Sequence, residues 1–131
     1  MINMIGPINS GAAVGSNGSA TSSITTGQTL SGRVLAAYIK YNDSPPAGTT
    51  TATIASANVN YPGQTVLSVV NSATSGWYFP RVAVHSNAGA AVTYDGTRPI
   101  YEAQPICDNL KITISGANAA DNIDVWLMLE N

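Results

Sequence analysis

The feature that most constrains this chain is its series of short runs in which apolar and polar residues alternate, with no helical period among them. The last run, residues 122–131, is the clearest, because an aliphatic residue stands at every second position. Successive side chains of a strand point to opposite faces, so these aliphatic residues are predicted to face the core. The opposite face carries Trp126 and Met128, which predicts that a loop or another chain covers it. The predicted core residues of this run are Ile123, Val125, Leu127 and Leu129.

Similar runs occur along the whole chain, separated by clusters of Gly, Pro, Asn and Ser. Strand after strand without helices predicts an all-β fold, an antiparallel β-sandwich of jelly-roll or Greek-key type. An immunoglobulin-like sandwich is the alternative, although the Cys–Trp–Cys spacing of antibody domains is absent. Pro105 predicts that the strand at residues 100–106 is an edge, since proline cannot donate to a ladder. The predicted strands are residues 2–8, 20–26, 32–42, 49–57, 65–70, 81–85, 91–94, 100–106, 109–115 and 122–131.

The length of the chain, 131 residues, fits one domain that can bury a core without metals or disulfides. We divide it into an N-terminal strand with a flexible Gly- and Ser-rich arm, residues 1–19, and a single β-sandwich domain, residues 20–131. The glycine-rich part, residues 10–19, is interpreted either as an arm that orders on contact with a partner or as a surface loop.

The composition restricts the partners. Charged residues make up 9% of the chain, far below the usual quarter or so, and Ser, Thr, Asn, Gly and Ala take their place. Such a surface favours close packing in an assembly, although secreted β-proteins share it. The net charge is −2 and the five basic residues stand singly, so we expect no nucleic-acid binding. Without an apolar run of about 18 residues or a signal peptide, we expect a protein folded in a cytoplasm and no membrane partner.

A search for reactive groups finds no catalytic constellation. His85 is the only histidine and is interpreted as closing a strand beside a turn, and no Gly-x-Ser-x-Gly elbow occurs. Cys107, the only cysteine, is predicted to pack as a small buried hydrophobe. Residues 121–124 come nearest to a calcium loop but are more typical of a turn and strand start. The sequence therefore predicts no enzyme activity, no catalytic residue, no metal site and no cofactor.

The most unusual local cluster is residues 76–81, Gly-Trp-Tyr-Phe-Pro-Arg. Three consecutive aromatic residues cannot all point into one core, because adjacent strand residues face opposite ways. These residue types are enriched at interface hot spots, so the cluster predicts an interface, with a carbohydrate platform or a partly two-sided core as alternatives. Downstream, Arg98 either meets a carboxylate of a neighbouring chain or belongs to an ordinary Asp-Gly hairpin turn. The predicted interface residues are Trp77, Tyr78, Phe79, Arg81 and Arg98.

Several segments, taken in order, resemble small proteins encoded among the head genes of tailed bacteriophages, the jelly-roll type of head decoration (cement) proteins. The likeness covers most of the chain from about Ala20 onward, and Trp-Tyr-x-Pro-Arg at residues 77–81 is its most specific part. The segments that carry it are residues 31–36, 64–67, 76–81, 94–98, 110–113 and 121–130.

This resemblance implies a structural virion protein on the outside of a capsid, made in the cytoplasm of a host bacterium. Its implied partners are the major capsid protein and further copies of itself, as a homodimer or homotrimer. Affinity would come from many weak contacts repeated over a symmetric lattice. Residues 1–19 are a second candidate contact. The alternative is a carbohydrate-binding or receptor-binding β-sandwich module of a phage tail or fibre.

Overall fold

Ten β-strands and no helix form the regular structure of residues 1–43, 46–58 and 62–131, the residues described in the computed structural model. Residues 44–45 and 59–61, which fall within the predicted sandwich domain, lie outside this description. The strands are β1 (Ile2–Asn9), β2 (Ala20–Thr25), β3 (Leu30–Tyr41), β4 (Thr51–Ser56), β5 (Thr65–Val69), β6 (Gly76–Tyr78), β7 (Arg81–Ala83), β8 (Tyr101–Asp108), β9 (Leu110–Ala117) and β10 (Ile123–Glu130).

The strands form two antiparallel sheets that pack together. The larger sheet has the order β1-β10-β3-β8-β7, with β6 also paired to β3, and the smaller sheet has the order β2-β9-β4-β5. Apart from β6 and β7, the strands form four antiparallel pairs: β1 with β10, β2 with β9, β3 with β8, and β4 with β5. Successive pairs alternate between the two sheets, as in a long hairpin that is rolled up. This is a jelly-roll topology, and the predicted antiparallel β-sandwich is confirmed.

The core lies between the sheets and consists of aliphatic residues at alternate strand positions. Each sheet contributes one inner face, and the two inner faces pack at a spacing of about 10 Å. The period-two pattern of residues 122–131 predicted this burial, and the four predicted core residues of β10 are confirmed. The buried residues are Ile123, Val125, Leu127 and Leu129 on β10, and Leu110, Ile112 and Ile114 on β9.

Residues 1–19 are hydrogen-bonded to the rest of the sandwich. β1 pairs with β10 along its length, with a bulge between Ile5 and Ile8. Beyond β1, the Ser10 amide donates to the Ile123 carbonyl at 3.0 Å and the Ala13 amide donates to the Asp121 carbonyl at 2.8 Å. Ser10 and Ala13 are buried, so this segment contributes to the core.

Ser10 gives a test of that contribution. Its hydroxyl accepts a hydrogen bond from the Ile123 amide at 3.1 Å and donates to the Gly11 carbonyl at 3.0 Å, in a fully buried position. Ser10→Ala leaves the buried Ile123 amide without this acceptor, so we expect the free energy of unfolding to fall by about 1–3 kcal/mol in urea titrations. Ser19→Ala, at an exposed position, is the control and should change it by less than about 0.5 kcal/mol. Equal effects of the two variants would contradict a structural role for Ser10.

Residues 91–94 do not form the predicted strand. The chain from residue 84 to residue 100, a different segment from the N-terminal arm and called the arm from here on, is instead held by isolated bridges between His85 and Ala91 and between Thr93 and Pro99. Most of its residues are exposed. Because the segments of the arm pair only with one another and bury little apolar surface, their ladders remain short.

Strand β8 differs from the sequence prediction at one position. Its inward-facing residues are Gln104, Ile106 and Asp108, so the alternation points Cys107 outward, and the prediction that Cys107 is buried is wrong. The apolar neighbour Ile106 suggested the wrong face. Pro105 lies in the part of β8 that pairs with β3, whereas β7 pairs with residues 101–103. Residue 105 therefore has a ladder on one side only, as expected for a proline. The prediction that its strand is an edge is wrong, because β8 lies between β3 and β7.

Candidate interaction surface

The outer face of the six-stranded sheet carries a row of three aromatic side chains. Strand register places Trp126 of β10 opposite Tyr38 of β3, and Tyr38 opposite Trp77 of β6. The Tyr38 ring lies 5.8 Å from the Trp126 ring and 5.2 Å from the Trp77 ring, between centroids, with interplanar angles of 64° and 67°. Both pairs have the edge-to-face geometry that aromatic rings prefer, which makes the row a fixed feature of the surface.

A second row lies beside the first and is aliphatic. Met4 of β1 is opposite Met128 of β10, and Met128 is opposite Ala36 of β3. The next pair in register is Leu129 with Val34, so Leu35 is the extra residue of a β-bulge. We call this continuous surface the outer-face patch. Its members are Met4, Leu35, Ala36, Tyr38, Trp77, Phe79, Trp126 and Met128.

Two shallow hollows lie in the outer-face patch, one on each side of Trp77. The first has a volume of about 290 Å³ and is lined by Met4, Tyr38, Trp77 and Trp126. The second has a volume of about 340 Å³ and is lined by Leu35, Ala36, Trp77, Phe79, Arg81 and Met128. Trp77 therefore separates two apolar depressions of the outer face.

The predicted alternation of the aromatic cluster is present. Trp77 and Phe79 are 48% and 61% exposed on the outer face, and Met4 beside them is 52% exposed. Tyr78 points the other way, packs against the core and donates its hydroxyl to the Thr74 carbonyl at 2.8 Å. The structure thus brings Trp77 and Phe79 together on one surface and places Tyr78 beneath it. Whether these residues contact a partner stays a prediction.

Arg81 borders the patch in a fixed orientation. Its guanidinium donates to the Leu35 carbonyl at 3.1 Å and to the Pro80 carbonyl at 2.7 Å. It also lies 6.0 Å from the centre of the Phe79 ring, within cation–π range. Two carbonyl acceptors and one aromatic face therefore hold the positive charge at the rim of the outer-face patch.

Gly6 allows β1 to pass close to Trp126. A Cβ atom at residue 6 would lie 2.7 Å from the Val125 carbonyl oxygen and 3.0 Å from the Trp126 side chain, and the backbone has a φ of +136°. Only glycine tolerates both conditions without strain. This close approach fixes one side of Trp126 and so helps to shape the first hollow.

Charged residues bound the patch at both ends. At one end Arg33 of β3 and Glu130 of β10 form an exposed ion pair of 3.1 Å. At the other end Lys40 of β3 is opposite Asp124 of β10. The Asp124 carboxylate accepts hydrogen bonds from Asn9 at 2.9 Å and from Asn42 at 3.0 Å. Acidic residues therefore lie on β10 and basic residues on β3 at each end.

Arg98 lies in the turn of the arm that Asp95 stabilises. The Asp95 carboxylate accepts from the Thr97 amide at 3.0 Å, from the Arg98 amide at 2.7 Å and from the Arg98 side chain at 2.6 Å. These hydrogen bonds from Arg98 and Thr97 lower the pKa of Asp95. The Arg98 guanidinium also lies 5.0 Å from the Tyr94 ring centre. Arg98 is thus bound within its own turn, and whether it contacts a neighbouring chain stays a prediction.

The arm nevertheless exposes apolar surface. Tyr94 and Tyr101 are largely exposed, and Ile100 is also exposed between them along the chain. We call Tyr94, Arg98 and Ile100 of the arm, together with Tyr101 at the start of β8, the arm surface. These residues lie outside β1, β3, β6 and β10, the strands that carry most of the outer-face patch.

Acidic side chains come together at one place that the sequence did not indicate. Asp43 lies beside Asp121, and one carboxylate oxygen of Asp43 is buried without a donor. Burial raises the pKa of Asp43, and the adjacent Asp121 raises it further. Across residues 1–43, 46–58 and 62–131, His, Cys, Asp and Glu side chains form no cluster of three that could hold a metal ion.

The pH dependence of stability tests this carboxyl pair. A carboxyl whose pKa rises on folding contributes stability that is present below its unfolded pKa of about 4 and is lost as pH rises through its folded pKa. Asp43→Asn stays neutral, so its stability relative to the natural protein should increase between pH 4 and pH 7 in urea titrations. Glu102→Gln, an exposed carboxylate on β8, is the control. If the stability difference between Asp43→Asn and the natural protein stays constant from pH 4 to pH 7, Asp43 and Asp121 do not form this carboxyl pair.

Tyr38 and Met4 of the patch were missed in the sequence. They are separated from Trp77 and Trp126 by tens of residues, and only the register of β1, β10, β3 and β6 brings them together. The available signal was the alternation of residues 32–42, which places Tyr38 on the face opposite to the buried Ile39. An aromatic residue on a nominally polar face, as with Trp126, is the sequence signal for an apolar outer surface.

No protein-family model matches this chain, and comparison with curated proteins and with solved structures finds no match. Among the described residues there is no helix with the length and hydrophobicity to cross a membrane.

Proposed function

We propose that this protein is a structural virion protein that binds the outside of a phage capsid and stabilises contacts between major capsid protein subunits. The observation that carries the proposal is the presence of two separate exposed apolar surfaces, the outer-face patch and the arm surface. A decoration protein needs two kinds of contact, one with the capsid and one with further copies of itself. A domain with one such surface would support only one of these contacts.

The character of both surfaces supports a protein partner. Aromatic side chains, Met and Arg are the residue types enriched where proteins meet, and charged residues are depleted at the centre of such interfaces. The patch follows this arrangement, because its centre is aromatic and aliphatic while Arg33, Lys40, Asp124 and Glu130 lie at its ends. The resemblance of residues 76–81 and of the other segments to head decoration proteins is the reason that the major capsid protein is the proposed partner.

The low charge of the chain agrees with a role in a lattice. A decoration protein binds in many copies to equivalent sites, so weak contacts add up through multivalency. The exposed surface needs packing complementarity rather than strong electrostatic steering, and a chain with 9% charged residues suits that requirement. In this proposal the protein is folded in the host cytoplasm and then binds to the exterior of the head.

A glycan-binding module of a phage tail or fibre is the second candidate, and one observation favours it. The row of Trp126, Tyr38 and Trp77 lies on the same face as a cluster of amide and carboxylate groups around Asp124. Aromatic rings beside polar groups are the arrangement that sugars need. The Asn9 and Asn42 amides, however, already donate to Asp124 and to Asn122, so fewer donors are free for a sugar.

The heat resistance of phage heads tests the proposed function. Empty heads that lack the protein should break at a higher temperature after the purified protein is added, because each bound copy stabilises the assembled state by mass action. Trp77→Ala and Tyr101→Ala each remove an exposed aromatic ring from one of the two surfaces, and each should reduce this gain. Val70→Ala, an exposed change just after β5 of the smaller sheet, is the control and should keep the full gain. A glycan ligand with unchanged heads would instead support the second candidate.

A further inference from the structure

We infer that the outer-face patch is the interface between two copies of this chain, which pack face to face about a two-fold axis that runs along the strands between β10 and β3. The inference rests on the proposed function, in which the protein is a homo-oligomer, and it names the occupant of the patch. The arm surface then remains available for the capsid.

The placement of charges supports a second copy as the occupant. Across the face, β10 carries Asp124 and Glu130, whereas the neighbouring β3 carries Lys40 and Arg33 opposite them in register. A two-fold axis along the strands, between β10 and β3, places β10 of each copy over β3 of its partner. Each acidic residue then faces a basic residue at both ends of the patch. The surface is self-complementary in charge, as an isologous interface requires.

The alternative two-fold axis is unfavourable. An axis across the strands would place β10 over β10 and reverse its direction, so Glu130 of one copy would face Asp124 of the other. Arg33 would likewise face Lys40. Like charges at both ends would oppose this arrangement, and the same residues therefore select one axis over the other.

Side-chain volumes agree with the inferred axis. In the aliphatic row, Met128 of one copy lies over Ala36 of the other, a small residue that lines the second hollow. In the aromatic row, Trp126 lies over Tyr38 of the second copy. The outer strands β1 and β6 also exchange places, which brings Met4 over the hollows beside Trp77, and a Met sulfur against an aromatic ring is a favourable contact.

Analytical ultracentrifugation of charge variants tests the inference. The natural protein should sediment with twice the 13.5 kDa mass of the chain at micromolar concentrations. Glu130→Lys places lysine over Arg33 of the second copy and should raise the dimer dissociation constant about tenfold or more. The double variant Arg33→Glu with Glu130→Lys restores opposite charges and should recover dimerisation. Glu102→Lys, the same change on β8 outside the patch, is the matched control and should dimerise normally.

Cross-linking locates the axis independently. In a Cys107→Ser background, Arg33→Cys should cross-link to itself through a bis-maleimide of about 10 Å, the spacing of packed sheets, because residue 33 of the two copies lies at the same end. When the Arg33→Cys and Lys40→Cys variants are mixed, residue 33 of one copy should not cross-link to residue 40 of the other, because the two positions lie about 20 Å apart along the strand. A cross-link between Arg33→Cys and Lys40→Cys without self-linking of Arg33→Cys, or tighter dimerisation of Glu130→Lys, would establish the other axis and overturn the inference.

The outcomes separate this inference from the proposed function. A chain that remains at 13.5 kDa yet binds heads, and loses head binding on Trp77→Ala, would assign the patch to the capsid and overturn the dimer. A dimer with the expected charge dependence that does not bind heads would support the inference and contradict the decoration role. If the patch is the dimer interface, Trp77→Ala should weaken dimerisation about tenfold or more while the monomer stays folded.

Discussion

Ile112→Ala is expected to lower the free energy of unfolding by about 2–5 kcal/mol. Ile112 is fully buried in β9, where its register partners are Ile24 of β2 and Ile54 of β4. Its side chain points into the layer between the sheets, and both neighbouring strands are fixed by the ladder, so the cavity left by three carbon atoms cannot collapse easily. Urea unfolding followed by circular dichroism measures this change.

The control for Ile112 is the same substitution at the surface. Ile2 of β1 is 59% exposed, so Ile2→Ala removes the same atoms where little apolar area is buried. We expect a loss below about 1 kcal/mol. The difference between the two variants isolates the contribution of the core from that of strand propensity. A loss at Ile112 no larger than the loss at Ile2 would contradict the sheet packing described above.

Gly32→Ala is the second large effect, with an expected loss of about 2 kcal/mol or more. Gly32 lies in β3 with a φ of +125°, and a Cβ atom there would lie 2.5 Å from the Glu130 carbonyl oxygen. The alanine must therefore move the backbone of β3 away from β10 or change its own conformation. Either adjustment disturbs the ladder that carries Arg33 and Glu130 at the end of the outer-face patch.

Gly76→Ala is the matched control for this position. Gly76 of β6 has no atom within 4 Å of an added Cβ, and its φ is not in the positive region. Alanine restricts the unfolded chain more than glycine does, so the stability of this variant should stay within about 1 kcal/mol of the natural protein or rise slightly. Equal losses in the free energy of unfolding for the two variants in urea titrations would contradict the close approach of β3 to β10.

The architecture could be predicted from the sequence because burial imposes a period of two. The aliphatic residues of β10 identified both the strand and its inward face, and a series of such runs gave the antiparallel sandwich. The arm at residues 84–100 was harder to predict, since Ala91–Tyr94 alternates like a strand but has no sheet to join. Cys107 points outward although its neighbour Ile106 is apolar, because the register of β8 sets the face of each residue and the local sequence does not give that register.

The candidate surface could be predicted only in part. Three adjacent aromatic residues at 77–79 indicated an exposed ring for purely local reasons, and Trp126 and Met128 indicated a covered face. The sequence did not indicate that these two features form a single surface, because that depends on β3 lying between β10 and β6. Strand order is set by long-range pairing, which a local pattern does not encode.

Co-sedimentation with empty phage heads that lack this protein is the most direct test of the central claim. Purified protein should pellet with the heads, saturate at a fixed ratio to the major capsid protein, and be reduced by substitution on the arm surface. The ratio gives the number of copies on each capsid. Absence from the pellet at every concentration, with folded protein left in the supernatant, would contradict the decoration role.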